Sequence, residues 1–334
     1  MPLDKAKQIV TSIKQGDVKA VYFLMGEEAY YIDAISNFIE SSVLSEEEKG
    51  FNQMVLYGRD VSIDDIISHA KRYPMMAERQ VIIVKEAQDL SRTIENLVAY
   101  VENPQPTTVL VMCYKYKTLD KRKKLSKSIA KHGVIFESKK LYENQVPDWI
   151  RRVLAGRGYT ITPKAAQMLV EFLGNDLGKV NNELEKLQLI IKPGEQITPQ
   201  IVEENIGISK DFNNFELQNA IGEKDIKKAF AIVQYFAQNP KNHPIVMTVA
   251  LLYSFFSKLL KFHALTNKRD AAKSLGVNPY FIKDYELAAR NYPMKKVSAV
   301  ISSIREIDMK SKGVGASNLP QGDLLKELLV KIFN

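Results

Sequence analysis

The chain has 334 residues, 45% of them apolar and 26% charged, with a net charge of +8. That length exceeds one ordinary core and predicts two or three domains, and the composition excludes a disordered or fibrous chain. A single cysteine, Cys113, excludes a disulfide framework; "MPLDKAKQIVTSIKQG" lacks a signal-peptide core, and no stretch approaches 18 uninterrupted apolar residues, so a soluble cytoplasmic protein without a membrane span is expected. The basic excess is compatible with nucleic acid nearby, but it is too diffuse to demonstrate it.

Residues 1–140 alternate between two periodicities. Apolar, β-branched or aromatic runs at 20–25, 53–57, 80–84, 107–112 and 134–136 read as strands, and 28–43, 63–72, 89–102 and 118–131 carry helical spacing. Strands that are continuously apolar predict a parallel sheet covered on both faces, hence a doubly wound α/β domain over 1–140. From about residue 141 the strands stop. Thr162-Pro163 and Thr198-Pro199 each set an N-cap hydroxyl before a first-turn proline, and Leu177, Val180, Leu184, Leu187 and Ile191 share one helix face. A small all-α domain is therefore expected over 141–207. A second all-α domain is expected over 208–334, with helices at 214–221, 224–238, 243–265, 270–275, 278–290, 293–311 and 320–332. The segment 245–262 is apolar around most of its circumference, and Ser254, Ser257 and Lys258 make it a poor membrane helix; it is expected at the buried centre of a bundle.

The first strand–helix unit, "VYFLMGEEAYYIDAI", has the outline of a phosphate-binding turn without its chemistry. A P-loop closes on Gly-Lys-Ser/Thr, because backbone N–H groups and a lysine must hold phosphates. Here Gly26 is followed by Glu27 and Glu28, two negative charges where a triphosphate would sit. At the end of the third strand, "VIIVKEA", Lys85 stands where a magnesium-binding acid is needed and leaves Glu86 alone. No zinc ligand set, G-x-S-x-G elbow or H-E-x-x-H is present, so no catalytic group is nominated and no metal or cofactor is expected.

Two further stretches invite a role. Met75 and Met76 follow Pro74, and methionines often fill core gaps. Neighbouring residues point in different directions, however, and a proline that ends a helix favours an exposed corner. Arg79 lies just beyond. The basic run 114–132 contains Lys121, Arg122, Lys123, Lys124 and Lys127, which suit either a solvated face or contacts to phosphate or an acidic partner.

Taken together, "VYFLMGEEAYYIDAI", "YPMMAERQVIIVKEA", "GNDLGKVNNELEKLQL", "IDMKSKG" and "DLLKELLVKI" resemble, in order from about residue 20 to 332, the delta subunits of the bacterial DNA polymerase III clamp loader. The resemblance implies an AAA+-like module in the first two domains, without a working P-loop, followed by a helical collar bundle for oligomerisation. It implies a non-catalytic subunit of the polymerase holoenzyme that binds no ATP. Such a subunit joins ATP-hydrolysing gamma/tau subunits and delta-prime in a five-membered ring. Its first domain binds the sliding clamp (the beta subunit) and helps to open it for loading onto primed DNA. Pro74, Met75, Met76 and Arg79 fall where the family contacts the clamp; the family pair is more often a leucine with an aromatic residue. Gly26, Glu27, Glu28, Lys85 and Glu86 then mark a degenerate nucleotide site. Two other readings are an active P-loop-type ATPase and a stand-alone basic DNA-binding protein.

Overall fold

In the computed structural model, which describes residues 2–207, 209, 211–315 and 319–334, the chain divides into two compact units, one ending at Leu141 and the other running Tyr142–Asn334. The expected boundary between 207 and 208 falls on a residue outside those described.

The first unit opens with α1 (Pro2–Lys14) and continues through β1 (Val21–Gly26), α2 (Ala29–Ser42), α3 (Glu46–Asn52), β2 (Gln53–Tyr57) and α4 (Ile63–Ala70). It ends with β3 (Gln80–Lys85), α5 (Val98–Val101), β4 (Thr108–Lys115), α6 (Lys124–His132) and β5 (Val134–Ser138). The strands form one parallel sheet in the order β2-β3-β4-β1-β5, with Val21 opposite Leu110, Val81 opposite Val109 and Tyr22 opposite Val134. Every residue of β1 is buried, as is β4 from Thr108 to Tyr114, which is why these strands read as continuous apolar runs. Successive side chains point to opposite faces. Val21, Phe23 and Met25 accordingly share a core with Ile66 of α4, Tyr100 of α5, and Leu125 and Ile129 of α6. Ile32, Ile35 and Ile39 of α2 are buried outside that cluster.

Four local expectations need correction. Helix α1 was not expected. Nor was α3, although its capping box, Ser45 with Glu48, was visible in the sequence. The segment 89–102 is not one helix but 3-10 turns at Ala87–Leu90 and Ile94–Leu97 followed by the short α5. Helix α6 starts at Lys124 rather than 118, because Asp120 takes the Arg122 backbone N–H (3.0 Å) and its guanidinium, a local turn that competes with helix.

The second unit contains α7 (Val146–Ala155), β6 (Thr160–Ile161), α8 (Pro163–Leu173), α9 (Leu177–Ile190), β7 (Gln196–Ile197) and α10 (Pro199–Ile206). Strands do not stop altogether at 141, since β6 and β7 pair in parallel. Thr162 and Thr198 cap α8 and α10 through their side chains, and Leu177, Val180, Leu184 and Leu187 are buried. There follow α11 (Asn214–Glu223), α12 (Ile226–Gln238), α13 (Ile245–Ala264), α14 (Ala271–Leu275), α15 (Ile282–Asn291), α16 (Met294–Ser311) and α17 (Gln321–Phe333). They enclose one core that includes Phe236, Phe256, Phe262, Tyr292, Ile304 and Leu328. Helix α13 buries Leu252, Phe255, Phe256 and Leu259, but Val246, Met247 and Tyr253 are exposed, so it is not buried all round as its composition implied.

Within this unit α8 is tied to α11 by polar contacts. The Phe215 N–H donates to the Glu171 carboxylate at 2.9 Å, and buried Glu216 pairs with Lys164 (2.7 Å) and with Lys228 of α12 (2.5 Å).

Candidate functional site

Strand β1 ends on Gly26 at φ +123°, where an added Cβ would lie 2.0 Å from the Ser138 carbonyl oxygen. Only glycine admits this approach of β1 to β5. The Gly26 N–H donates to the Lys117 carbonyl and the Glu27 N–H to the Ser138 carbonyl, both at 3.0 Å. A phosphate-binding turn needs such N–H groups free to point at the anion; these two are already committed within the fold. Glu28 does not project a charge into the turn as expected. It is buried and caps α2, accepting the Tyr30 N–H at 3.2 Å, so of the pair only Glu27 is exposed.

Lys85 pairs with Glu40 of α2 at 3.2 Å. Glu86 adopts a left-handed conformation (φ +53°), and its carboxylate accepts from the Gln88 amide (2.6 Å) and the Lys115 ammonium (2.9 Å). The Gln88 bond, helped by Lys115, holds its pKa below the ordinary value against the effect of burial. Lys115 also contacts Asp33 at 2.9 Å. Burial works against its charge, but the bonds to Asp33 and Glu86 outweigh that and hold its pKa at about 12. A permanent ammonium thus sits between the Asp33 and Glu86 carboxylates. Among the described residues no cluster of three or more His, Cys, Asp or Glu side chains could hold a metal ion.

At the other feature, α4 ends at Ala70, two residues earlier than expected, and an irregular stretch leads to β3. Met75 is 63% and Met76 104% exposed, so neither is a core side chain. Tyr73 is 77% exposed, and Met76 turns the chain at φ +53°. Buried Asn52 holds the corner: its Oδ1 accepts the Met75 N–H (2.6 Å), and its Nδ2 donates to the Met75 carbonyl (2.9 Å). Gln80 closes the base, its Nε2 donating to the Arg72 carbonyl (2.6 Å) and to Thr108 Oγ1 (2.8 Å). Pro74 is half-buried, and Arg79 turns back to the Val18 carbonyl in a long contact of 3.4 Å. Sequence reasoning found the methionines but missed Asn52 and the exposed ring of Phe51 beside it. No sequence signal marks Asn52, because its partner lies 23 residues away.

The basic run is interleaved with acids of the same unit. Lys121 pairs with Glu137 (2.9 Å), Arg122 with Asp120 (2.8 Å), Lys123 with Glu95 (3.6 Å) and Lys124 with Glu102 (2.8 Å), while Lys127 is exposed on α6. These are solvent-facing pairs of small energy. They lower the local field without removing the cations from the surface.

A five-stranded parallel sheet with a closed turn after β1, followed in the chain by helices, defines an AAA+-like α/β fold with a helical C-terminal region. The family model "DNA polymerase III, delta subunit" matches residues 22–139, and the model of the delta subunit's C-terminal domain matches 211–327. The chain belongs to the family of DNA polymerase III delta subunits. It is similar to DNA polymerase III subunit delta of Bacillus subtilis (strain 168), 27% identical over 96% of this chain and 94% of that one. It is also similar to the probable DNA polymerase III subunit delta of Aquifex aeolicus (strain VF5), 22% identical over 87% of this chain and 86% of that one. Among solved structures, the DNA clamp loader delta protein of Bacillus subtilis matches with a TM-score of 0.56 and 26% identity, covering 98% of this chain and 99% of that one.

Proposed function

We propose that this delta subunit docks on the sliding clamp through the corner at Met75 and Met76 and helps to open it for loading onto primed DNA. The observation that carries this reading is the exposure of two adjacent methionines on a braced corner, where a soluble chain would ordinarily bury them. The protein does not hydrolyse ATP in this role. The committed N–H groups of Gly26 and Glu27 and the Lys115–Glu86 pair support this part of the reading. Hydrolysis belongs to gamma/tau-type subunits, with which this chain and a delta-prime subunit form the loader ring through the helical domain at 208–334. The residues 141–207 act as the lid-like second domain.

The test is binding of the purified chain to its own clamp, wild type against Met75→Ala/Met76→Ala, with circular dichroism on both. Each methionine buried in the complex contributes roughly 1.5–3 kcal/mol, so the double substitution is expected to weaken binding by about two orders of magnitude or more with the fold intact. A folded double variant that binds as wild type would sink the reading.

A further inference from the structure

The Met75–Met76 corner is held by one buried side chain from a distant part of the sequence. Asn52 is the last residue of α3, immediately before β2, and it is buried. Its carboxamide meets both backbone groups of Met75, as a neighbouring strand would. The second Nδ2 hydrogen goes to the Glu48 carbonyl at 3.1 Å. Both donors and the acceptor are therefore used, and the three partners together fix which way the amide points. With Met75 held, the chain reverses at Met76 in a left-handed conformation that a non-glycine residue adopts only when its surroundings impose it. The result is a projecting methionine pair shaped before any partner arrives. A free loop carrying the same residues would be ordered only on binding, and its apparent affinity would fall with the fraction of time spent in the competent shape.

We propose that Asn52 is the positioning residue of the clamp-docking corner: by pairing with the Met75 backbone it pre-forms the shape in which Met75 and Met76 are presented to an apolar cleft on the partner. The proposal rests on the docking role given to this corner above. Asn52 touches no partner itself; it acts through Met75.

The experiment uses the full chain and three measurements on Asn52→Ala and Asn52→Asp: thermal melting, amide hydrogen exchange at Met75, and clamp binding. Aspartate keeps an acceptor for the Met75 N–H and the side chain's volume but turns a carboxylate oxygen on the Met75 and Glu48 carbonyls, so it separates loss of the bonds from loss of packing. The expected result for Asn52→Ala is loss of exchange protection at Met75 with β2 and β3 protected as before. Clamp affinity should fall about tenfold or more, mainly through a lower competent fraction, and with Asn52→Asp it should fall at least as far. In a Met76→Ala background the same change should cost less, because part of what Asn52 presents is already gone. Wild-type affinity in a folded Asn52→Ala variant would overturn the proposal, as would an equal loss with and without Met76. Failure of the wild-type chain to bind the clamp would instead overturn the docking role itself, and the proposal with it.

Discussion

Glu171→Gln is expected to flatten the dependence of stability on pH. The carboxyl of Glu171 is enclosed where α8 meets α11, although part of the residue reaches the surface, and it accepts the Phe215 N–H at 2.9 Å. Burial pushes its pKa up to about 8; the Phe215 and Gln167 bonds pull the other way, and the nearby charge of Glu216 adds to the rise. Glu216 itself is held charged by Lys164 and Lys228 despite its burial. A carboxyl whose folded pKa lies above its unfolded one binds the extra proton in the folded state. Its stabilisation is therefore full below the ordinary glutamate value and is lost as the pH rises toward 8. One proton corresponds to roughly 1.4 kcal/mol per pH unit, so wild type should lose up to ~2.7 kcal/mol between about pH 6 and 8 from this group. Glutamine keeps an acceptor for the Phe215 N–H and cannot titrate. The assay is urea unfolding at those two pH values, followed by the fluorescence of Trp149, the protein's one tryptophan, which is buried in α7 of the same unit. The variant should gain about 2 kcal/mol on wild type between the two conditions. Parallel profiles for the two chains would refute the reasoning, and so would a variant that is less stable at both pH values.

Two further outcomes are expected. Gly26→Ala should destabilise the first unit by about 3 kcal/mol or more, since its Cβ would collide with Ser138 and its backbone conformation disfavours a side chain; a thermal melt like that of wild type would contradict this. Cys113 is fully buried in β4, and burial pushes its thiol pKa up to about 12, so a thiol reagent should label it only after denaturation; rapid labelling of the native chain would show that β4 opens.

How much of this was legible beforehand depended on whether the cause was local. The inner strands β1, β3 and β4 could be placed because burial on both faces leaves unbroken apolar runs such as "VIIV" and "VLVM". The N-caps at Thr162 and Thr198 were legible for the same reason, since each partner lies three residues on. The 3-10 segments at 87–97 defeated the helical reading because Ile94, Leu97 and Val101 keep a spacing of three and four while the backbone winds more tightly. The exposed face of α13 was hidden by composition: Val246, Met247 and Tyr253 read as core, and only the packing separates them from Leu252 and Phe256. At the candidate site the methionines stood out by type. Asn52 and Gln80, which hold the corner, bond to backbone 23 and 8 residues away and leave no trace in sequence spacing.

The closed turn at the end of β1 bears on what could be rebuilt there. Placing a lysine at Glu27 would add a charged ammonium donor but no free backbone N–H groups to complete a cradle for an anion, since the Gly26 and Glu27 amides are spent on Lys117 and Ser138. Freeing the Glu27 amide means prising β5 from the end of β1, where Gly26 lies opposite Ser138 in the sheet register and admits no larger residue, and freeing the Gly26 amide means moving the segment after β4 that carries Lys117. Every intermediate along that route would have a damaged sheet before it had a ligand. On this frame the amides of the turn become free donors only at the expense of the contacts that close the sheet's end.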